Sequence, residues 1–224
     1  MEKYQNINIL YEDNHLLVVN KPANMPVCLD SSNDSDLLSK LKEYLKIKYN
    51  KPGNVYLGLI HRLDRPVQGI MVFAKTSKAA SRLSAQIIKN EFQKTYYAIV
   101  ENNPPEEGTF TDYLYKDQNS NTSYVTTEQK GKKSILKYKV LSKKDNLNLV
   151  KINLLTGRHH QIRVQFSSRN YPLYGDHKYN KNFLHDNKTN IALIAKELSF
   201  YHPITKELLT FEIDLPNQYP YTLF

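Results

Sequence analysis

A chain of 224 residues is long enough for one large domain or two small lobes sharing a core. With 40% hydrophobic and 24% charged residues it should fold, which excludes a disordered spacer. A net charge of +9 and 17 tyrosines point to an anionic partner, RNA first, since cations meet phosphate and rings stack on unpaired bases.

The one cysteine, Cys28, excludes an internal disulfide and fits a reducing, cytoplasmic setting. Met1 to Asn6 is polar, unlike a signal peptide, and no apolar stretch is long enough to span a membrane.

In chain order, Ile7 to Glu12 and His15 to Asn20 read as two strands joined by a turn at Asp13-Asn14. Lys21-Pro22 and Met25-Pro26 force a loop. Asp34 to Tyr49 is predicted as an amphipathic helix with Leu37, Leu38, Leu41, Tyr44 and Leu45 on one stripe. Ser35 or Asp34 can cap it, Lys46 and Lys48 suit its negative end, and Lys51-Pro52-Gly53 closes it. Val55 to Ile60 is a candidate strand.

His61-Arg62-Leu63-Asp64-Arg65-Pro66-Val67-Gln68-Gly69 comes next and runs into Ile70-Met71-Val72-Phe73-Ala74. That apolar run has no alternation and is strand length, as a strand buried on both faces would be. Asp64 should therefore sit on a turn at the lip of the core, with cations beside it. On spacing alone, this is an ordinary surface turn whose charges pair to little effect.

Thr76 or Ser77 can cap a second helix running to about Asn90, with Ala80, Leu83 and Ile87 inward. Phe92 to Val100 is a strand by its aromatic and β-branched content. Tyr96 and Tyr97 would point to opposite faces of it, and by itself Tyr96 reads as a core residue. A short strand near Thr109 to Tyr115 precedes a flexible loop carrying Lys130, Lys132 and Lys133. Ser134 to Leu141 and Leu147 to Leu155 form a predicted strand pair, with Val150, Ile152 and Leu154 inward.

Leu155-Thr156-Gly157-Arg158-His159-His160-Gln161-Ile162-Arg163-Val164-Gln165-Phe166 ends a strand and starts a helix. Ile162 and Phe166 share a face, and Arg163 falls one turn after His159. Such an arginine can form a bidentate pair with a buried carboxylate. Tyr171 to Tyr179, with Gly175-Asp176 at its centre, reads as scaffolding. Lys181 to Asn190 is a predicted loop, Ile191 to Phe200 a strand, and His202-Pro203 a turn. Leu209, Phe211, Ile213 and Leu215 alternate as a last strand.

Seven histidines raise the question of a metal, but there is no second cysteine and no His-Glu-x-x-His helix. Adjacent histidines on a helix would also diverge, so at most one of His159 and His160 could face a given site. Gly-rich phosphate loops are absent, and no cofactor is implied.

The segment His61 to Gly69 resembles His-Arg-Leu-Asp-x-x-Thr-Ser-Gly, the signature of the RluA-type pseudouridine synthases, with Val67-Gln68 in place of Thr-Ser. Thr156 to Arg163 resembles the same family's Thr-Gly-Arg-x-His-Gln-Ile-Arg motif. Leu10 to Ala23, Lys94-Thr95-Tyr96-Tyr97-Ala98 and Tyr171 to Tyr179 also match, so the resemblance runs from about Ile9 to Leu215. Ile194 stands where relatives commonly have histidine, and no role carries over to it.

The resemblance implies an α+β fold with a mixed, mainly antiparallel central sheet, flanking helices and a catalytic cleft across the sheet. A single catalytic domain would span residues 1–224, with no N-terminal RNA-binding module. Asp64 would be the catalytic residue, Arg163 its partner, and Tyr96 the ring against the target base. His61, Arg62, Arg65, Lys94, Arg158, His160 and Gln161 would serve RNA binding, Arg62 by entering the gap left by a flipped base.

Isomerising uridine breaks the C1′–N1 bond, turns the uracil and joins C5 to C1′. That needs a carboxylate near the sugar, an aromatic plane and a dry pocket, but no metal or cofactor. The expected partner is a ribosomal or transfer RNA stem-loop, met by a monomer away from membranes. Two other readings remain at this point: an RNA-binding protein or folding helper without catalysis, and a nucleoside hydrolase-like enzyme.

Overall fold

The computed structural model describes residues 2–4, 6–30, 32–186 and 188–224, and of Glu2 and Lys3 the backbone alone. In chain order the strands are β1 (Glu2–Tyr4), β2 (Ile7–Glu12), β3 (Leu16–Lys21), β4 (Gly58–Leu59), β5 (Gln68–Ala74), β6 (Gln93–Glu101), β7 (Glu107–Asp117), β8 (Thr122–Thr126), β9 (Lys132–Lys144), β10 (Leu147–Leu154), β11 (Leu193–Tyr201) and β12 (Leu208–Glu212). The helices are α1 (Leu37–Lys48), α2 (Ser77–Ile88) and α3 (Gln161–Ser167). This is an α+β chain whose strands run mainly antiparallel to their neighbours. Among the described residues no helix is long and apolar enough to cross a membrane.

Two compact units divide the chain: Met1–Gln93 with Ala195–Ile213, and Lys94–Ile194 with Asp214–Phe224. In the first unit, β5 is the buried strand that its unbroken apolar run predicts, flanked by β3 and β11. Leu16, Val18, Ile70, Val72, Leu83, Phe92, Leu198 and Phe200 form its core. Asp13 accepts from the backbone N–H groups of His15 and Leu16, both at 2.7 Å, which fixes the turn between β2 and β3.

Helix α1 is capped by Asp36, whose carboxylate accepts from Ser39 N at 3.0 Å, rather than by Asp34 or Ser35. Asp34 instead meets Arg65. Helix α2 starts at the Thr76 cap, but its buried line is Ala79, Leu83 and Gln86, one residue round from the predicted stripe. Gln86 belongs there because its amide closes both bonds with the backbone of Tyr201. Val55 to Ile60 supplies only the two-residue β4, and the last strand stops at Glu212.

The second unit is an antiparallel sheet in the order β6-β10-β9-β7-β8. Rings of Phe110, Tyr138 and Phe166, with centroids 4.7–5.3 Å apart, seat α3 on the sheet. The expected flexible loop after Tyr115 is instead the β7–β8 hairpin, turned at Asn121 in the left-handed region. Thr122, Tyr124 and Val125 have the β preference that a composition rich in Asn and Ser conceals. Within Lys181 to Asn190 the chain makes a short 3-10 turn, Lys181–Phe183; Asn187 lies outside the described residues.

Candidate active site

The two motif segments fall in different units. In the first, Leu63 and Val67 are buried and anchor the turn, leaving Asp64 half-buried between them. Val67 N donates to Asp64 O at 3.0 Å, so the turn closes through backbone and the missing Thr-Ser pair costs no main-chain bond. Gly69 has φ +135°, and a Cβ there would fall 2.4 Å from the carbonyl oxygen of Ala195. Only glycine permits that approach where the turn enters β5.

Lys21, the last residue of β3, is fully buried beneath this turn. Its Nζ donates to the carbonyls of Pro22 at 2.9 Å, Met25 at 2.8 Å and Arg65 at 3.0 Å. Burial pushes Lys21 down to about 7, the Asp64 carboxylate draws it back up, and Arg65 opposes. Three carbonyls are satisfied together only by the three hydrogens of an ammonium. Lys21 therefore joins two loops and sets a buried cation against Asp64. Sequence reasoning took Lys21-Pro22 as a loop signal; the available clue was a lysine closing an otherwise apolar strand.

His61 accepts from Val72 N at 3.3 Å and sets its ring edge against Phe92, 5.4 Å between centroids. It has a framework role independent of RNA. Arg65 is exposed and turned to Asp34 and to Ser32 Oγ, so its charge is paired at the surface. Arg62 is exposed.

In the second unit, Thr156 and Gln161 lock the entry to α3. Gln161 Oε1 accepts from Thr156 Oγ1 at 2.7 Å and from Arg158 N at 3.0 Å, and its Nε2 donates to Ile135 O at 3.1 Å. Buried and bonded in this way, Gln161 holds the turn. His160 is also buried, with Nδ1 2.7 Å from Tyr179 Oη, and burial with neighbouring cations pushes its pKa down. It too braces the entry to α3.

His160 takes left-handed geometry, φ 53°, immediately before α3. His159 thus precedes the helix, and the two imidazoles stack 3.7 Å apart instead of diverging. The expectation of divergence assumed both residues were helical. Arg158 is exposed, its Nε donating to Lys133 O at 3.1 Å. Lys94 runs along the backbone at Gly157 and burial lowers its pKa.

Arg163 is buried, with Nε 2.8 Å from Asp176 Oδ2 and an outer nitrogen 2.7 Å from Oδ1. Asp176 Oδ1 also accepts from the N–H groups of Lys178 and Tyr179, and the guanidinium carbon sits 5.1 Å from the Tyr179 ring centroid. Gly175, φ +73°, makes the bend, where a Cβ would fall 2.3 Å from Asn190 O. Arg163 thus forms its bidentate pair with Asp176, a residue first taken only as scaffolding, where the resemblance implies Asp64 as its partner. Tyr96 is buried on β6 opposite Ile152.

A family model described as RNA pseudouridylate synthase matches residues 15–168. The chain is 33% identical to the ribosomal large subunit pseudouridine synthase D of Zymomonas mobilis, covering 94% of this chain and 70% of that protein. It is 34% identical to an uncharacterized RNA pseudouridine synthase of Bacillus subtilis, over 96% of this chain and 70% of the relative. In fold it is similar to human RNA pseudouridylate synthase domain containing 4, with a TM-score of 0.78, 24% identity, and 94% and 89% of the two chains covered. Human RNA pseudouridylate synthase domain containing 1 superposes with a TM-score of 0.75, at 24% identity over all of this chain and 89% of that one.

Proposed function

Because the chain belongs to the RNA pseudouridylate synthase family, in its RluA branch, and is an isomerase acting on RNA, we propose that it converts specific uridines of ribosomal or transfer RNA with Asp64 as the catalytic residue. The observation that carries this reading is the setting of Asp64: a half-buried carboxylate on a turn closed by Val67 N on its own carbonyl, with buried Lys21 bonded to the carbonyl of the next residue, Arg65. That combination keeps an acid oriented and charge-balanced without covering it.

In the proposed reaction Asp64 acts at the ribose carbon as the C1′–N1 bond breaks. The uracil turns, C5 bonds to C1′, the C5 hydrogen leaves as a proton, and N1 gains one. Substrate and product have the same composition, so no external electron donor or acceptor is required. Arg163 is the proposed charge partner of the acid, and Tyr96 the ring that holds the base. Lifting the uridine from its stack costs a few kcal/mol, offset by ring stacking and by Arg62 in the vacated space.

The test is incubation of wild type and Asp64→Asn with cellular RNA, followed by carbodiimide-stop sequencing for pseudouridine. The reading expects modified sites with wild type and none with the variant. Sites unchanged in the variant would remove Asp64 from its role, and RNA binding by a wild type that modifies nothing would favour a binding protein.

A further inference from the structure

The second unit contains a cavity of about 430 Å³ between the β7–β8 hairpin and the Gly157–His159 turn. That volume is in the range of small-ligand sites. Lys116, Lys130, Lys132 and Arg158 line it, and no carboxylate does among the described residues. The nearest acids along the chain are engaged elsewhere: Asp117 accepts from Asn119 N and Ser120 Oγ, and Glu128 accepts from Tyr113 Oη at 2.6 Å. One wall is built rather than incidental, for buried Ser123 bonds His159 at 2.8 Å and its backbone N–H donates to Tyr179 Oη at 2.7 Å.

Tyr115 stands at the same cavity and pairs across the hairpin with Tyr124, centroids 5.4 Å apart, both rings exposed. Large exposed aromatics cost apolar surface in water, and a cross-strand pair beside four cations is the composition that receives an unpaired nucleotide.

We propose that this cavity is a second RNA subsite. It would take one unpaired nucleotide of the substrate other than the uridine being isomerised, with its phosphate on Lys116, Lys130, Lys132 and Arg158 and its base against Tyr115. The inference rests on RNA as the partner, and it extends that reading to a nucleotide held by the hairpin. Its consequence is selectivity for an unpaired flank.

The experiment measures fluorescence anisotropy of a labelled single-stranded oligoribonucleotide of mixed sequence, across a salt series, with wild type, Lys130→Gln/Lys132→Gln and Tyr115→Leu. Unchanged thermal unfolding first establishes that each variant folds. The double lysine variant should weaken binding and lower the slope of log affinity against log salt by about 0.7, for the one phosphate whose hold is lost. Tyr115→Leu should weaken binding about tenfold with the slope retained, the mark of a lost stack.

Wild-type affinity in both variants overturns the proposal. So does a reduced slope with no effect at Tyr115, since that describes an unstructured basic surface. Pseudouridine formation by wild type, scored in parallel, separates the two readings. Modified RNA with indifferent variants removes only the subsite, whereas weakened variants without any modified RNA remove only the enzyme.

Discussion

The Asp64 turn and the Arg163 helix are both motif segments, but they are held in opposite ways. The turn rests on main chain: Val67 N on Asp64 O, Gly69 against Ala195, and Lys21 reaching three carbonyls. The helix rests on side chains: Arg163 forked on Asp176, Gln161 locking Thr156, and His160 on Tyr179. An acid on a backbone-held turn can change its neighbours without losing its place, which is why Val67-Gln68 is accommodated. A helix pinned by a buried ion pair depends on both charges.

Changes that split this contrast are ordered by size. Asp64→Asn should cut pseudouridine formation by about a thousandfold or more, while leaving the unfolding temperature near wild type, since the Val67 N–Asp64 O bond that closes the turn is main chain and survives the substitution. Asp176→Ala should act first on stability. It leaves a buried guanidinium without its fork and should cost about 3–5 kcal/mol of stability, read from urea unfolding.

Lys21→Met should cost about 1–3 kcal/mol, through carbonyls left without a donor. Its signature is in pH. Folded Lys21 releases its proton near 7, against 10.5 as its ordinary value, so between those values the unfolded chain binds more protons. Wild-type stability should therefore rise with pH across that window relative to Lys21→Met, and a flat difference would refute the lowering of the Lys21 pKa by burial. The smallest effect is expected at His160→Gln. The folded His160 pKa is below its ordinary 6.5, so stability is lost as pH falls through 6.5 and the unfolded chain takes the proton. The variant should show a shallower loss than wild type, seen in unfolding midpoints between neutral and mildly acid pH.

Local pattern carried far in this chain. The uniform apolar run predicts β5 as a buried strand, and Thr76 marks the start of α2. Alternation locates the β9–β10 pair, and the motif segments bring Asp64 and Arg163 forward as candidates. What it misread depended on partners distant in sequence. The β7–β8 hairpin hides in polar composition because cross-strand pairing, not hydrophobicity, stabilises it. The His159–His160 stack required knowing that α3 begins only at Gln161.

By itself, then, the sequence determined the elements with strong periodicity and the family, and it put Asp64 forward as the candidate acid, because these are written in neighbouring residues. Tertiary structure alone decided that Lys21 underlies the Asp64 turn, that Asp176 receives Arg163, and that the lysines after the hairpin join Arg158 around one cavity. Each of those pairings is a burial or a charge balance between segments far apart along the chain, and such energies exist only once the chain has closed on itself.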